Sequence, residues 1–247
     1  MRKALKSVSG DVLYIIIPAY NESENIIRVI EGWYPVVEKH NGDGMSRLVV
    51  IDDGSTDNTY DILREIANAR PLMEVIPREN HGHGPTVLFG YRYALKKGAD
   101  YIFQTDSDGQ TVPSEFSPFW RRREKYDMLV GLRKNREDGK DRVFLAKVLR
   151  QIILSVFGVR CPDANTPFRL MKAGPLAKCL NAIPENAELS NALLTVKYEK
   201  SGCAVRYLPI TFRSRQGGTD ALNRSRRFAI IRRSLGEFRR VKKEWEK

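Results

Sequence analysis

Three absences narrow what this chain can be. Cysteine is scarce, with three in 247 residues. Cys161, Cys179 and Cys203 lie far apart and form no CxxC pair. That argues against a disulfide framework or a zinc site and fits three small buried hydrophobes in a reducing compartment. Long apolar runs are missing too. Residues 143–159 are interrupted by Lys147 and Arg150 and fall short of the roughly 20 apolar residues a spanning helix needs. The run 13–17 is too short, and too close behind Asp11, for a signal peptide, so the expected location is the cytoplasm. Finally, acidic residues are outnumbered: 30 Asp and Glu face 42 Lys and Arg, a net charge of +12. The surplus is concentrated. From Arg213 to Lys247 twelve basic residues meet four acidic ones, so this tail alone supplies +8. Such a tail calls for an anionic partner: a membrane surface, a phosphorylated substrate or a nucleic acid. No internal repeat or low-complexity linker interrupts the chain.

What is present reads as one globular domain, 42% apolar and 29% charged, long enough for a sizeable core. Short apolar runs at 13–17, 48–51, 73–76, 101–104 and 128–132 predict strands. Between them lie helical stretches. The first is expected to open at Asn21, with Glu24 at capping-box spacing. The second follows Ser55 and stops before Pro71. The third begins around Pro85 and the fourth near Pro113. Strands alternating with helices imply an α/β fold with a mostly parallel sheet covered on both faces. The second half predicts a helix over 141–157, a strand over 168–171, a helix over 187–200 ended by Gly202, and a strand over 205–211. A last amphipathic helix follows Gly217-Gly218, with Phe228, Ile231, Leu235, Phe238, Val241 and Trp245 at helical spacing.

In parallel sheets, ligands gather at the carboxyl ends of the strands. Three polar clusters sit there: Tyr20-Asn21-Glu22, Asp52-Asp53-Gly54-Ser55 and Asp106-Ser107-Asp108. The last points most directly to chemistry. Two carboxylates at i and i+2 in a tight turn can hold a hard cation, which keeps some waters and adds substrate phosphates; Gln110 can add a carbonyl oxygen. Alone, such a triplet beside Gly109 is equally turn chemistry. Its place past a strand, with two companion clusters, singles it out. Of the Asp52–Asp53 pair, one carboxylate can accept from a base or ribose and the other can cap the next helix. Asp52 is the better ligand candidate, while Asp53 stays open between the two roles. In His81-Gly82-His83-Gly84-Pro85 the glycines allow a ligand close to the backbone, and a helix start favours phosphate. Val87 breaks a GxGxxG reading. The histidines read as loop residues that pack or touch a donor rather than as a metal pair.

Taken in order, Ile17-Pro18-Ala19-Tyr20-Asn21-Glu22, Asp52-Asp53-Gly54-Ser55-Thr56-Asp57, Asn80-His81-Gly82-His83-Gly84 and Asp106-Ser107-Asp108-Gly109-Gln110 resemble the family-2 inverting glycosyltransferases of GT-A fold, over roughly the first 135 residues. Gly131-Leu132-Arg133, the segment Asp163-Ala164-Asn165-Thr166-Pro167-Phe168-Arg169, and Leu208-Pro209-Ile210-Thr211-Phe212 with Gly217-Gly218 are similar to the dolichyl- or polyprenyl-phosphate hexose synthases. The resemblance implies a catalytic domain over 1–218, with a nucleotide-sugar half (1–135) and an acceptor half (136–218), and a basic amphipathic helix over 219–247. It implies that Pro18, Ala19, Tyr20, Glu22, Gly82 and Gly84 line the nucleotide pocket with Asp52 near the base. Asp106 and Asp108, helped by Gln110, would bind Mg²⁺ or Mn²⁺ and the diphosphate. Arg133 and Arg169 would hold the acceptor or the diphosphate. One departure matters: Pro167 stands where many relatives carry Gly or Asp, so a base at that position is missing.

The implied reaction moves a hexose from a UDP- or GDP-sugar to a polyprenyl phosphate, or, as an alternative, to a lipid-linked glycan hydroxyl in capsule or other surface polysaccharide synthesis. A phosphate monoester, with a second pKa of about 6, is ionised enough to attack unaided. A hydroxyl needs a carboxylate base, for which Asp163 and Glu188 are the candidates. The basic tail suits peripheral docking on an anionic inner leaflet, directly or through a membrane partner protein. Its apolar stripe could equally pack on the catalytic domain. A nucleic-acid binder fits the charge, but no recognition motif appears and the tail lacks regularly interleaved stacking aromatics, so no nucleic-acid partner is expected. A nucleotidyltransferase would need a Gly-rich, Arg-containing N-terminal loop that is absent.

Overall fold

Seven apolar runs become the seven strands of one sheet: β1 (Leu13–Ala19), β2 (Arg47–Asp52), β3 (Met73–Pro77), β4 (Tyr101–Gln104), β5 (Met128–Lys134), β6 (Arg169–Lys172) and β7 (Val205–Thr211). A computed structural model describes residues 10–134, 140–214 and 224–246. The strands lie in the order β3-β2-β1-β4-β6-β5-β7. β1 pairs in parallel with β2 and β4, β2 with β3, and β5 with β7, whereas β6 is antiparallel to both its neighbours. The sheet is therefore mostly parallel, as the alternation predicts. β5 and β7 also point the same way as β1, β2, β3 and β4, so six carboxyl ends share one edge.

Alternate residues of each strand enter different cores, because successive side chains of a strand face opposite ways. Leu13, Ile15 and Ile17 join one core, Tyr14 and Ile16 the other. The first core is covered by α1 (Ile26–Lys39), α2 (Thr59–Asn68) and the short α4 (Phe116–Trp120). α1 buries Ile26, Val29, Ile30, Trp33, Tyr34 and Val37 at helical spacing. Beneath β4, Trp33 and Phe168 pack on Phe103 at ring distances of 5.0 and 4.7 Å, contacts worth about 0.5–1.5 kcal/mol each beyond area burial. The second core is covered by α3 (His83–Lys96), α5 (Lys140–Phe157), α6 (Ala173–Leu180), α7 (Ser190–Lys200) and α8 (Arg224–Trp245).

Two local expectations are corrected. Asn21 does not cap a helix. It adopts a left-handed φ of 53° and ties the turn after β1 to the turn after β2: its N–H donates to Ser55 Oγ at 3.0 Å, and its Oδ1 accepts from the Thr56 N–H at 2.8 Å. α1 therefore starts at Ile26. The fourth helical stretch opens as a 3-10 turn over Pro113–Glu115 before the five residues of α4.

The stripe of α8 divides in two. Phe238 and Val241 are fully buried, and Leu235 and Trp245 pack around them. Phe157 packs edge-on against Phe238 and at a tilt against Trp245, at ring distances of 5.5 and 5.3 Å. Toward the helix start, Phe228 is 73% exposed and Ile231 half-buried, while Ile230 beside the stripe is 37% exposed. Among the described residues, no helix is long and apolar enough to cross a membrane.

Candidate active site

The sheet order reverses beside β1: β2 and β3 lie on one side, β4 on the other. A crevice is expected outside the carboxyl ends at such a switch point. It is there, a cavity of about 370 Å³ lined by residues following β1, β2, β3 and β4. Pro18, Ala19, Tyr20 and Glu22 come from the first turn, Asp53 from the second, Asn80, Gly82 and His83 from the third, and Asp106, Ser107 and Asp108 from the fourth.

Each wall is held by local chemistry. The N–H of buried Glu22 donates to Thr59 Oγ1 at 2.8 Å, and its carboxylate accepts from the Asn25 amide at 2.9 Å. Asp53 fastens the glycine loop. Its oxygens accept from the N–H groups of His81 and Gly82, at 3.1 and 2.9 Å, and from the Thr86 hydroxyl at 2.5 Å. Gly109, with φ of +72°, closes the acidic turn in a conformation that favours glycine. Within that turn the Gln110 N–H donates to Asp108 Oδ1 at 3.1 Å. Asp106 Oδ1 is met from two sides, by His83 Nε2 at 3.0 Å and by Gln104 Nε2 at 3.4 Å. The His83 imidazole is shifted upward in pKa: desolvation in the cleft pulls it down, and Asp106, with Asp108 and Asp53 behind it, pulls it further up.

Asp52 is 3% exposed and does not line the cavity wall. Its Oδ2 accepts from the Ser55 N–H at 3.3 Å, while its Oδ1 is buried with no hydrogen-bond partner. A buried, unpartnered carboxylate oxygen is costly unless a ligand supplies the donor. Asp52 lies opposite Ala19, which does line the cleft. Gly84 is placed differently from the expectation. It is absent from the lining and meets the backbone of the segment before α7: a Cβ there would lie 2.2 Å from the Ala187 carbonyl oxygen. Gln110 is 1% exposed and also outside the lining; its amide donates to the Arg213 carbonyl at 2.7 Å.

The two acidic side chains fit a hard divalent cation that takes only one or two protein carboxylates and completes its shell with water and phosphate oxygens. They do not form an all-protein cage: among the described residues, no three His, Cys, Asp or Glu side chains cluster as one.

A second cavity of about 290 Å³ opens beside the carboxyl end of β5. Arg133 and Asp163 face each other in it as a two-pronged pair, Nε to Oδ2 at 2.8 Å and Nη2 to Oδ1 at 2.7 Å. The guanidinium also lies 4.9 Å from the Phe212 ring. Lys147 and Arg150 of α5 line the same cavity, with Leu132, Val143 and Ala146 as apolar neighbours. Neither basic residue was singled out as a ligand from sequence, because they read there only as interruptions of an apolar run.

Arg169 lies in neither cavity, and the expectation that it holds acceptor or diphosphate is corrected. It is fully buried, and all five of its N–H donors are used. Nε donates to the Thr166 carbonyl, Nη1 to the Asn191 carbonyl and Thr195 Oγ1, and Nη2 to the Ala164 and Thr166 carbonyls, at 2.8–3.3 Å. It is a framework residue. Glu188 pairs with Arg233 of α8, away from the cleft lining.

The model of glycosyl transferase family 2 matches residues 14–180, a span that includes every wall of the cleft. The chain belongs to that family. Polyprenol monophosphomannose synthase of Mycolicibacterium smegmatis is 27% identical over 220 residues, covering 85% of this chain and 81% of that protein. UDP-N-acetylglucosamine–dolichyl-phosphate N-acetylglucosaminyltransferase of Methanococcus voltae is 30% identical over 123 residues, 44% of this chain and 46% of its own. The alignment with undecaprenyl-phosphate 4-deoxy-4-formamido-L-arabinose transferase of Proteus mirabilis spans 63% of this chain and 47% of that enzyme. The match thus reaches only about half the length of the last two. Among solved structures, glucosyl-3-phosphoglycerate synthase from Mycobacterium tuberculosis, crystallised with Mn²⁺, UDP and phosphoglyceric acid, superposes with a TM-score of 0.67 over 94% of this chain and 79% of that one. At 19% identity this likeness establishes the GT-A fold.

Proposed function

We propose that this glycosyltransferase moves a hexose from a UDP- or GDP-sugar, held in the β1–β4 cleft, to a polyprenyl phosphate presented at a membrane surface. The observation that carries the proposal is the meeting, in one cleft, of Pro18, Ala19, Tyr20, Glu22, Gly82, Asp106 and Asp108, with the unpartnered Asp52 oxygen behind them. Half-exposed Tyr20 offers a ring face at the mouth, and Asp52 Oδ1 offers an acceptor for an imide or amide N–H of the base. Asp106 and Asp108 of the acidic turn would hold Mg²⁺ or Mn²⁺, which would supply Lewis-acid stabilisation of the departing charge.

The acceptor assignment draws on the second cavity. Arg133, Lys147 and Arg150 outnumber Asp163, and apolar side chains stand beside them, a lining suited to a phosphate on a hydrocarbon chain. Both base candidates are engaged by arginines, Asp163 by Arg133 and Glu188 by Arg233. Asp163, with both oxygens bonded to Arg133, is poorly placed to take a proton from a sugar hydroxyl. A phosphate, already ionised at neutral pH, needs none. The relatives named for polyprenol, dolichyl and undecaprenyl phosphate support the same reading. The test is transfer of labelled sugar from UDP- and GDP-donors to undecaprenyl phosphate with Mn²⁺. Label is expected in the lipid fraction, is expected to vanish with excess EDTA, and should return when Mn²⁺ is restored. Transfer only to an oligosaccharide hydroxyl, or turnover indifferent to chelation, would overturn the assignment.

The docking face is read from α5 and α8. Phe144 (49% exposed), Phe228 and Ile230 project from helices bearing Lys147, Arg150, Arg232 and Arg239. Basic residues near an anionic leaflet contribute on the order of 1 kcal/mol each, and the aromatic side chains enter the interface. Exchanging Phe144, Phe228 and Ile230 together for serine is expected to release the protein from phosphatidylglycerol vesicles without lowering its melting temperature. Sedimentation with vesicles unchanged from wild type would leave this face a solvated surface.

A further inference from the structure

α7 starts without a side-chain cap of its own, Leu189 standing at the N-cap. The start of a helix leaves backbone N–H groups unpartnered and carries partial positive charge. Here the carboxylate arrives from another element. Glu237 of α8, 9% exposed, accepts from the Glu188 N–H through Oε1 at 2.8 Å and from the Leu189 N–H through Oε2 at 3.3 Å. One turn earlier on α8, Arg233 pairs with the Glu188 side chain. Near the end of α8, Trp245 Nε1 donates to the Ala182 carbonyl at 2.7 Å. α8 therefore fastens residues 182–189 at three places.

That segment backs onto the donor cleft. Gly84, in the first turn of α3, lies so close beneath it that a Cβ would meet the Ala187 and Glu188 carbonyl oxygens at 2.2 and 2.6 Å. The preceding residue, His83, lines the cleft and holds Asp106 Oδ1. A second route starts at the second residue of α7. Asn191 Oδ1 is 3.4 Å from the hydroxyl of buried Tyr91, which donates to Gln104 Oε1 at 2.5 Å, and Gln104 Nε2 reaches Asp106 Oδ1 at 3.4 Å. Both routes run from the start of α7 to the same oxygen.

We infer that Glu237 is a positioning residue for the donor site: by capping α7 from α8 it sets the His83 and Gln104 contacts that orient Asp106, so seating of α8 and binding of the nucleotide are coupled. Because α8 also carries exposed Phe228 and Ile230, anything that moves α8 on its support is felt at Asp106. The inference rests on reading the cleft as a nucleotide site.

The test compares Glu237→Ala and Glu237→Gln in the full chain. Three quantities are measured: amide hydrogen exchange, affinity for UDP and GDP with Mn²⁺ by calorimetry, and the KM values for donor and acceptor. Glu237→Ala is expected to speed exchange at residues 188–189 and in the first turn of α3. It is also expected to weaken nucleotide binding about tenfold, a typical coupling between sites, and to raise the donor KM while the acceptor KM holds. Glu237→Gln keeps one acceptor oxygen and should recover part of each loss. Faster exchange confined to 188–189, with nucleotide affinity and donor KM unchanged, overturns the coupling. So does a loss of stability with no selective change in donor KM. If Glu237→Ala does not fold, Glu237→Gln and Arg233→Ala carry the same comparison, and wild-type affinity in both overturns it. Should wild-type protein bind neither nucleotide, the reading of the cleft fails, while exchange in the first turn of α3 still reports on the coupling.

Discussion

Asp108→Asn is expected to fold as the wild type does and to lose metal-dependent transfer by roughly 10²–10³-fold or more, the scale set by removing one preorganised electrostatic contact from a transition state. The substitution is nearly isosteric. The amide oxygen can still accept from the Gln110 N–H, which Asp108 Oδ1 now does at 3.1 Å, so the acidic turn keeps its shape. What disappears is one negative charge out of the two that face the cleft from this turn. A cation that takes one or two carboxylates then has one left, Asp106, and that one is shared with His83. Circular dichroism and a thermal melt should match wild type, while transfer stays low even at raised Mn²⁺. Full activity in this variant would remove the acidic turn from the chemistry and take the cation assignment with it.

The sheet was legible because its strands are buried on both faces and bounded by polar turns; all seven begin within one residue of a predicted run or at it, apart from their extensions at the carboxyl edge. The antiparallel run of β6 was not legible, since strand direction is fixed by a partner distant in sequence, here β4 and β5. α6 was missed for a local reason. Its eight residues open Ala-Gly-Pro, a punctuation pattern, yet Pro175 falls in the first turn, where a missing N–H costs nothing. At the site, the motifs after β1 and β4 delivered their side chains to the cleft because a tight turn leaves them little choice. The Asp52–Asp53 pair was harder. Consecutive residues face opposite ways, so only one of them can line the cleft directly. Asp53 does so while fastening the glycine loop, and Asp52 waits behind it with one oxygen unpartnered. Gly84 shows the same limit. Its spacing marks a close approach, but the thing approached is the Ala187 carbonyl, a hundred residues away, rather than a ligand.

Arg169 gives the sharpest contrast between a motif and its place. The resemblance makes it a ligand arginine; in the fold it is a hub that donates to the carbonyls of Ala164 and Thr166, ahead of β6, and of Asn191 in α7. Arg169→Ala is expected to destabilise the protein by roughly 3–5 kcal/mol, since each orphaned buried acceptor costs about 1–3 kcal/mol and the lost volume adds a cavity. The Thr166 carbonyl loses both guanidinium bonds at once, and the carbonyls of Ala164 and Asn191 are left to share the Thr195 hydroxyl. For a domain of this size that is a fall in Tm of roughly 10 °C or more. Lysine cannot substitute fully, because it brings a single point of attachment where the guanidinium fork reaches in three directions. Burial pulls the guanidinium's pKa down, while Tyr91, Tyr207 and Asp163 nearby pull it back up. Denaturant unfolding of Arg169→Ala and Arg169→Lys, beside transfer assays below their melting temperatures, separates the roles. A framework residue loses stability in both variants and retains turnover wherever the fold survives. Stability near wild type with transfer abolished would return Arg169 to the chemistry and require a conformation in which its five donors let go of their present partners.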